Sequence, residues 1–118
     1  MSYDISFRMK NNISGEWIYV APEVANITWN LREMIVKSTG LTWRNEADNG
    51  NVVDFTNAIK HGLEELNKYP EKYTKYESPN GWGTIEGCRR FFSNIIDAYE
   101  ETAKRYPKSL KRVHVWID

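Results

Sequence analysis

Tyr3-Asp4-Ile5-Ser6-Phe7-Arg8-Met9-Lys10 alternates strictly, with Tyr3, Ile5, Phe7 and Met9 on one side and Asp4, Ser6, Arg8 and Lys10 on the other. This two-residue period belongs to a strand with one buried face. Asn11-Asn12 and Ser14-Gly15 supply turn residues before Trp17-Ile18-Tyr19-Val20, so a second strand folds back as a hairpin and ends at Pro22. At the far end Val113, Val115 and Ile117 alternate with Arg112, His114 and Trp116, giving a third strand in the same sheet. The N-terminal and C-terminal stretches therefore meet in one small antiparallel sheet.

Between the strands the period becomes helical. Asn30 and Glu33 have capping spacing, Leu31, Met34 and Ile35 form an apolar stripe, and Gly40 can close a helix over residues 30–39. Residues 41–50 lack a period and read as a loop carrying Trp43. Val52, Phe55, Ile59, Leu63 and Leu66 follow at steps of three or four, predicting a helix that stops before Pro70, which can itself open a short one. After the turn Ser78-Pro79-Asn80-Gly81, the residues Ile85, Cys88, Phe92, Ile95, Tyr99, Thr102 and Tyr106 describe one face of a long helix, capped by Thr84 and closed by Pro107. The expected fold is α+β: a small antiparallel sheet of two N-terminal strands plus the C-terminal strand, with three to four helices packed on one face, as a single domain over residues 1–118.

Composition narrows the function. The 118 residues are 41% hydrophobic and 27% charged, which is ordinary for a globular domain, and 16 basic residues balance 16 acidic ones. No overall basic field exists to hold nucleic acid. No run approaches the length of a membrane span, the first ten residues lack a signal-peptide apolar stretch, and the single cysteine, Cys88, cannot form an internal disulfide. A cytoplasmic protein that contacts neither nucleic acid nor membrane is expected. The motifs Asn12-Ile13-Ser14 and Asn26-Ile27-Thr28 then read as turn chemistry rather than glycosylation sites. The chain also holds 5 Trp, 7 Tyr and 4 Phe, more than so small a core needs, so some aromatics are expected to be exposed or to line a pocket.

Two stretches combine tryptophan with a helix start. In Asn80-Gly81-Trp82-Gly83-Thr84 the glycines let the backbone approach a bound group, the indole offers a flat face, and the free amides of the following helix favour an anion. The plainer reading is a turn whose Trp82 plugs the core and whose Thr84 only caps. In Asn26-Ile27-Thr28-Trp29-Asn30, the side chains of Asn26, Thr28 and Asn30 could read the edge of a polar ligand beside Trp29; alternatively Asn30 caps the helix and Trp29 is core. Arg89 or Arg90 could reach back over a pocket near Gly83 to pair with phosphate, or be solvated with Glu86.

Catalytic and metal constellations are poor. His61 and His114 lie on different elements with no ligand-spaced partners, Cys88 falls on an apolar helix face, and no nucleophile elbow or phosphate-binding glycine motif occurs. No metal, cofactor or catalytic residue is expected, with Glu86 and His114 the candidates to test if the chain were a hydrolase. Tyr69, Tyr73 and Tyr76, interleaved with Lys68, Lys72 and Lys75, form a stripe that suits either a partner protein or the core.

The opening MSYDI, the central NITWN and the run YPEKYTKYESPNGWGTIEG resemble small bacteriophage and prophage proteins of unassigned function, over residues 1 to 100. The resemblance implies an accessory factor that blunts a host defence, by sequestering a nucleotide immune signal in a pocket or by covering the surface of a defence protein. Of these, the two tryptophan-bearing segments favour a non-enzymatic sponge for an anionic, ring-containing ligand. A direct inhibitor of a host protein and a small nucleotide hydrolase are the alternatives. A pocket shared between copies would make the protein a homo-oligomer.

Overall fold

A computed structural model describes residues 1–118. Strand β1 spans Ser2–Lys10, β2 Trp17–Thr28, β3 Ala47–Asn51 and β4 Val113–Ile117; helix α1 spans Arg32–Thr39, α2 Val52–Lys68 and α3 Ile85–Arg105. The strands form one antiparallel sheet in the order β2-β1-β4-β3, and the helices pack on one face of it. The α+β expectation holds, with the N-terminal hairpin and the C-terminal strand adjacent. No helix is long and apolar enough to cross a membrane.

Alternation on β1 sorts its side chains as its sequence predicts: Tyr3, Ile5 and Phe7 enter a core of 21 buried apolar residues with Val113, Val115 and Ile117 of β4. From the helices come Met34 and Ile35, then Phe55, Ile59 and Leu66, then Cys88, Phe92 and Ile95. Burying each larger side chain contributes about 1.5–3 kcal/mol.

Three boundaries differ from the sequence reading. Pro22 does not end the second strand, because β2 is an edge strand and Pro22 lies in a bulge. Ile5 pairs with Ala25 while Phe7 pairs with Ala21, so residues 22–24 have no ladder partner and the missing proline N–H costs nothing. Residues 47–51 are a fourth strand rather than loop. This stretch, Ala-Asp-Asn-Gly-Asn, has no apolar alternation and is held by polar contacts: Asn49 Nδ2 donates to the carbonyls of Arg44 (2.9 Å) and Ala47 (3.0 Å), and Gly50 N donates to Asp48 Oδ1 at 2.9 Å. Thr28 rather than Asn30 opens the first helical segment, accepting from Asn30 N at 3.3 Å to start a single 3-10 turn over Trp29–Leu31 that leads into α1. Beyond α2, Pro70 opens two 3-10 turns, Pro70–Lys72 and Thr74–Tyr76.

The three helices meet at Gly62. A Cβ there would lie 2.6 Å from Thr39 Cγ2 and 2.9 Å from Phe92 Cε2, both on buried side chains. Alanine favours a helix over glycine by about 1 kcal/mol, but overpacking a core costs about 1–3 kcal/mol. Both neighbours are buried, and Thr39 is also tied by its hydroxyl to Ile35 O, so the steric term should win. Gly62→Ala is expected to lower the urea-unfolding midpoint, with a net loss of about 1–2 kcal/mol. A raised midpoint would show that the helices separate at no cost.

Candidate functional site

The loop before α3 is built by its own side chains. Gly81 adopts φ +77°, which glycine alone takes readily, and its N–H donates to Ser78 O at 3.1 Å. Asn80 Oδ1 accepts from Ser78 Oγ and from Trp82 N, the latter at 3.0 Å, and Ser78 N donates to Gly83 O at 2.9 Å. Asn80 therefore shapes the loop from within. Gly83 is needed for a different reason: a Cβ there would lie 3.0 Å from two atoms of the buried Leu31 side chain. This close approach presses the loop against the end of β2 and the turn after it.

Between them lies a cleft of about 430 Å³. Asn26, Ile27 and Thr28 of β2 form one wall with Leu31, Gly81–Thr84 form the rim, and Gly87, Arg90, Phe91 and Asn94 of α3 form the other wall. Ile27, Leu31 and Phe91 are buried and make an apolar floor, whereas Asn26, Asn94, Thr84, Trp82 and Arg90 are exposed above it. Trp82 is 73% exposed, so it does not plug the core. Arg90 makes no hydrogen bond or ion pair within the chain, while its neighbour Arg89 points elsewhere, donating to Leu66 O at 2.8 Å and to Glu86 Oε2 at 3.3 Å. Arg89 thus ties α3 to the end of α2 and does not reach the cleft. Arg90 is the one ionisable side chain among the lining residues.

The structure divides the remaining candidates. Trp29 and Asn30 border a second, shallower depression of about 370 Å³ with Arg32, Lys75 and Tyr76, on the other side of the 78–84 loop. Trp29 is 40% exposed and its ring lies 5.7 Å from that of Tyr3. Sequence reasoning missed Ile27, Leu31, Gly87, Phe91 and Asn94, although Asn94 is one turn beyond Arg90 and so shares its helix face. A third depression, about 450 Å³, follows the β2 bulge past Asp4 and Glu23; its charged groups are carboxylates, which repel an anionic ligand.

The start of α3 is not the open anion site expected from sequence. Glu77 Oε2 accepts from Ile85 N at 2.9 Å and Thr84 Oγ1 accepts from Gly87 N at 3.0 Å. A carboxylate already compensates the positive end of the helix dipole, leaving Arg90 to meet an anion's charge.

Neither catalytic candidate lines the cleft. Glu86 pairs with Arg89, and His114 lies on the sheet, where its Nδ1 donates to both oxygens of Asp48 at 2.9 Å. No three His, Cys, Asp or Glu side chains come together in a group that could hold a metal ion. The tyrosine stripe is broken up: Tyr73 is buried with its hydroxyl donating to Glu65 Oε1 at 2.7 Å, Tyr76 is half-buried, and Tyr69 is exposed beneath the Lys72 ammonium at 4.4 Å. Burial pushes the Tyr73 phenol up to about 12, with the Glu65 hydrogen bond acting in the same direction.

Burial also pushes the Cys88 thiol up to about 12. The folded protein then holds it protonated far above its unfolded range, so this group stabilises the fold fully below about pH 9 and the contribution falls as pH rises towards 12. At pH 8 Cys88 should resist a thiol reagent in native protein and react promptly in urea; rapid labelling of the native state would refute its burial.

The chain matches no family model, no curated protein and no solved structure.

Proposed function

We propose that the cleft beside Trp82 binds a small anionic ligand with a planar ring, of the nucleotide class, and holds it without altering it. One observation carries the reading: an unpaired arginine and a largely exposed indole border a single cleft whose other polar groups are amides and hydroxyls. A ring stacks on Trp82, the Arg90 guanidinium takes phosphate in forked geometry, and Asn26, Thr28 and Asn94 supply neutral donors and acceptors at the edges. The apolar floor of Ile27, Leu31 and Phe91 lets the ring displace water.

Binding without turnover is supported by what the lining offers. General acid–base catalysis needs a group that gains or loses a proton near pH 7, and a guanidinium stays charged throughout that range. In a phage-type accessory protein, such a site would sequester a nucleotide-derived signal in the host cytosol and so blunt a defence response. The competing reading, direct inhibition of a host protein, requires no small-molecule affinity.

The test is a thermal-shift screen against nucleoside phosphates, cyclic dinucleotides and ADP-ribose, with chromatography of each hit. A ligand at about one hundred times its Kd stabilises by about 2.7 kcal/mol, a shift of several degrees for a domain of this size. Trp82→Ala should weaken binding by about 1–3 kcal/mol through lost stacking, and Arg90→Ala by a similar amount through a lost charged hydrogen bond. Recovery of intact ligand supports the reading. A flat screen would remove the nucleotide pocket in favour of a protein partner, and a consumed ligand would make the protein an enzyme.

A further inference from the structure

The sheet face turned away from the helices carries a second constellation that the cleft does not use. Arg8, on β1, is held between two rings, its guanidinium carbon 4.6 Å from the centroids of both Tyr19 and Trp116. It donates to Asp118 Oδ2 at 2.9 Å and to Ser6 Oγ at 3.2 Å, and it covers Ser6 so well that this polar residue is only 3% exposed. Trp17 meets Trp116 edge-on at 5.7 Å and lies 5.2 Å from the His114 ring, which Asp48 fixes. Tyr19 remains 61% exposed. These are the residue types that dominate association energetics, and here Arg8, Trp17 and Trp116 already hold one another, which reduces the side-chain entropy left to lose on docking.

We propose that this face docks a second copy of the chain, sheet against sheet, about a two-fold axis that lies between the sheets and perpendicular to β1. Charge placement selects that partner. Asp4 and Asp118 stand side by side at one end of the face, their backbones joined by Asp118 N donating to Asp4 O at 2.8 Å. Lys10 and Arg112 stand at the other end, joined by Arg112 Nη2 donating to Lys10 O at 3.2 Å. Lys10 lies six positions along β1 from Asp4, which is about 20 Å. Asp118 is spent on Arg8, but the side chains of Asp4 and Lys10 have no partner within the chain. Glu16, in the turn beyond Lys10, is the one opposing charge at the basic end.

The proposed two-fold brings the acidic end of each copy over the basic end of the other, twice, with the aromatic row between. An isologous interface needs a self-complementary surface of this kind. Four strands at about 4.8 Å spacing give a footprint of about 20 by 15 Å, or about 300 Å² on each copy, well below a standard interface, so the dimer is weak and forms only in a concentration-dependent manner. Asn26, the register partner of Asp4, also lines the cleft, so the test is run without ligand.

Sedimentation velocity from micromolar to sub-millimolar concentration tests the proposal on wild type, D4K, K10E and an equimolar mixture of the two variants. Both side chains are exposed and unpaired, so both variants should fold, which circular dichroism checks. Wild type is expected to dimerise, each variant to self-associate at least about tenfold more weakly, and the mixture to recover a heterodimer, since one chain then carries two acidic ends and the other two basic ends. A monomeric wild type, variants that dimerise as well as wild type, or a mixture without recovery would each overturn the proposal.

Discussion

The pairing of β1 along both of its edges is the constraint on which everything else depends. Ile5 faces Ala25 on one side and Ile117 on the other, and Phe7 faces Ala21 and Val115. A slip of one residue would turn Ile5 and Phe7 out and drive Asp4 and Arg8 into the core, at a cost of several apolar side chains and two buried charges. Register is therefore fixed by the core itself. Once β1 is fixed, β2 becomes an edge strand whose far end, Asn26 to Thr28, lies beside α3, and the Arg8 cluster must form on the uncovered face. The cleft and the aromatic row are two consequences of one alternation.

The parts of this arrangement that were legible in the sequence share a physical cause. Strands β1 and β4 and helices α2 and α3 each bury a regular apolar face, and periodicity reports burial directly. Strand β3 has no such face. Asp48 bonds to His114, Asn49 to the carbonyl of Ala47, and Asn51 to the amide and carboxylate of Asp54, contacts that leave no period behind. Pro22 misled for a related reason: proline excludes a central strand, but whether a strand is central or at an edge depends on β4, more than ninety residues away.

The site was partly readable on the same terms. Thr84 as a cap and Gly81 in a turn are local properties, and both hold. Which of two adjacent arginines faces the cleft is not local. Consecutive helix positions are about 100° apart, so only one can face it, and the carbonyl of Leu66 on a different helix claims Arg89. Glu77 was invisible in a similar way. It reaches the amide of Ile85 across the seven-residue loop 78–84, a separation with no periodic signature, and its carboxylate moves the burden of anion recognition from the helix end to Arg90.

The aromatic excess and the balanced charge acquire a common meaning in three dimensions. Of the five tryptophans, only Trp43 is a core residue, 2% exposed; Trp82 and Trp29 border depressions, and Trp17 and Trp116 lie on the open sheet face. A sum of zero charge excludes a long-range field, yet it conceals a cleft whose one charge is positive and a sheet face with opposite ends. At physiological ionic strength charges are screened beyond about 8 Å, less than half the length of that face. Its acidic and basic ends cannot cancel each other over such a span. Each acts on whatever lies directly opposite, so the pattern of charge governs recognition here and the total does not.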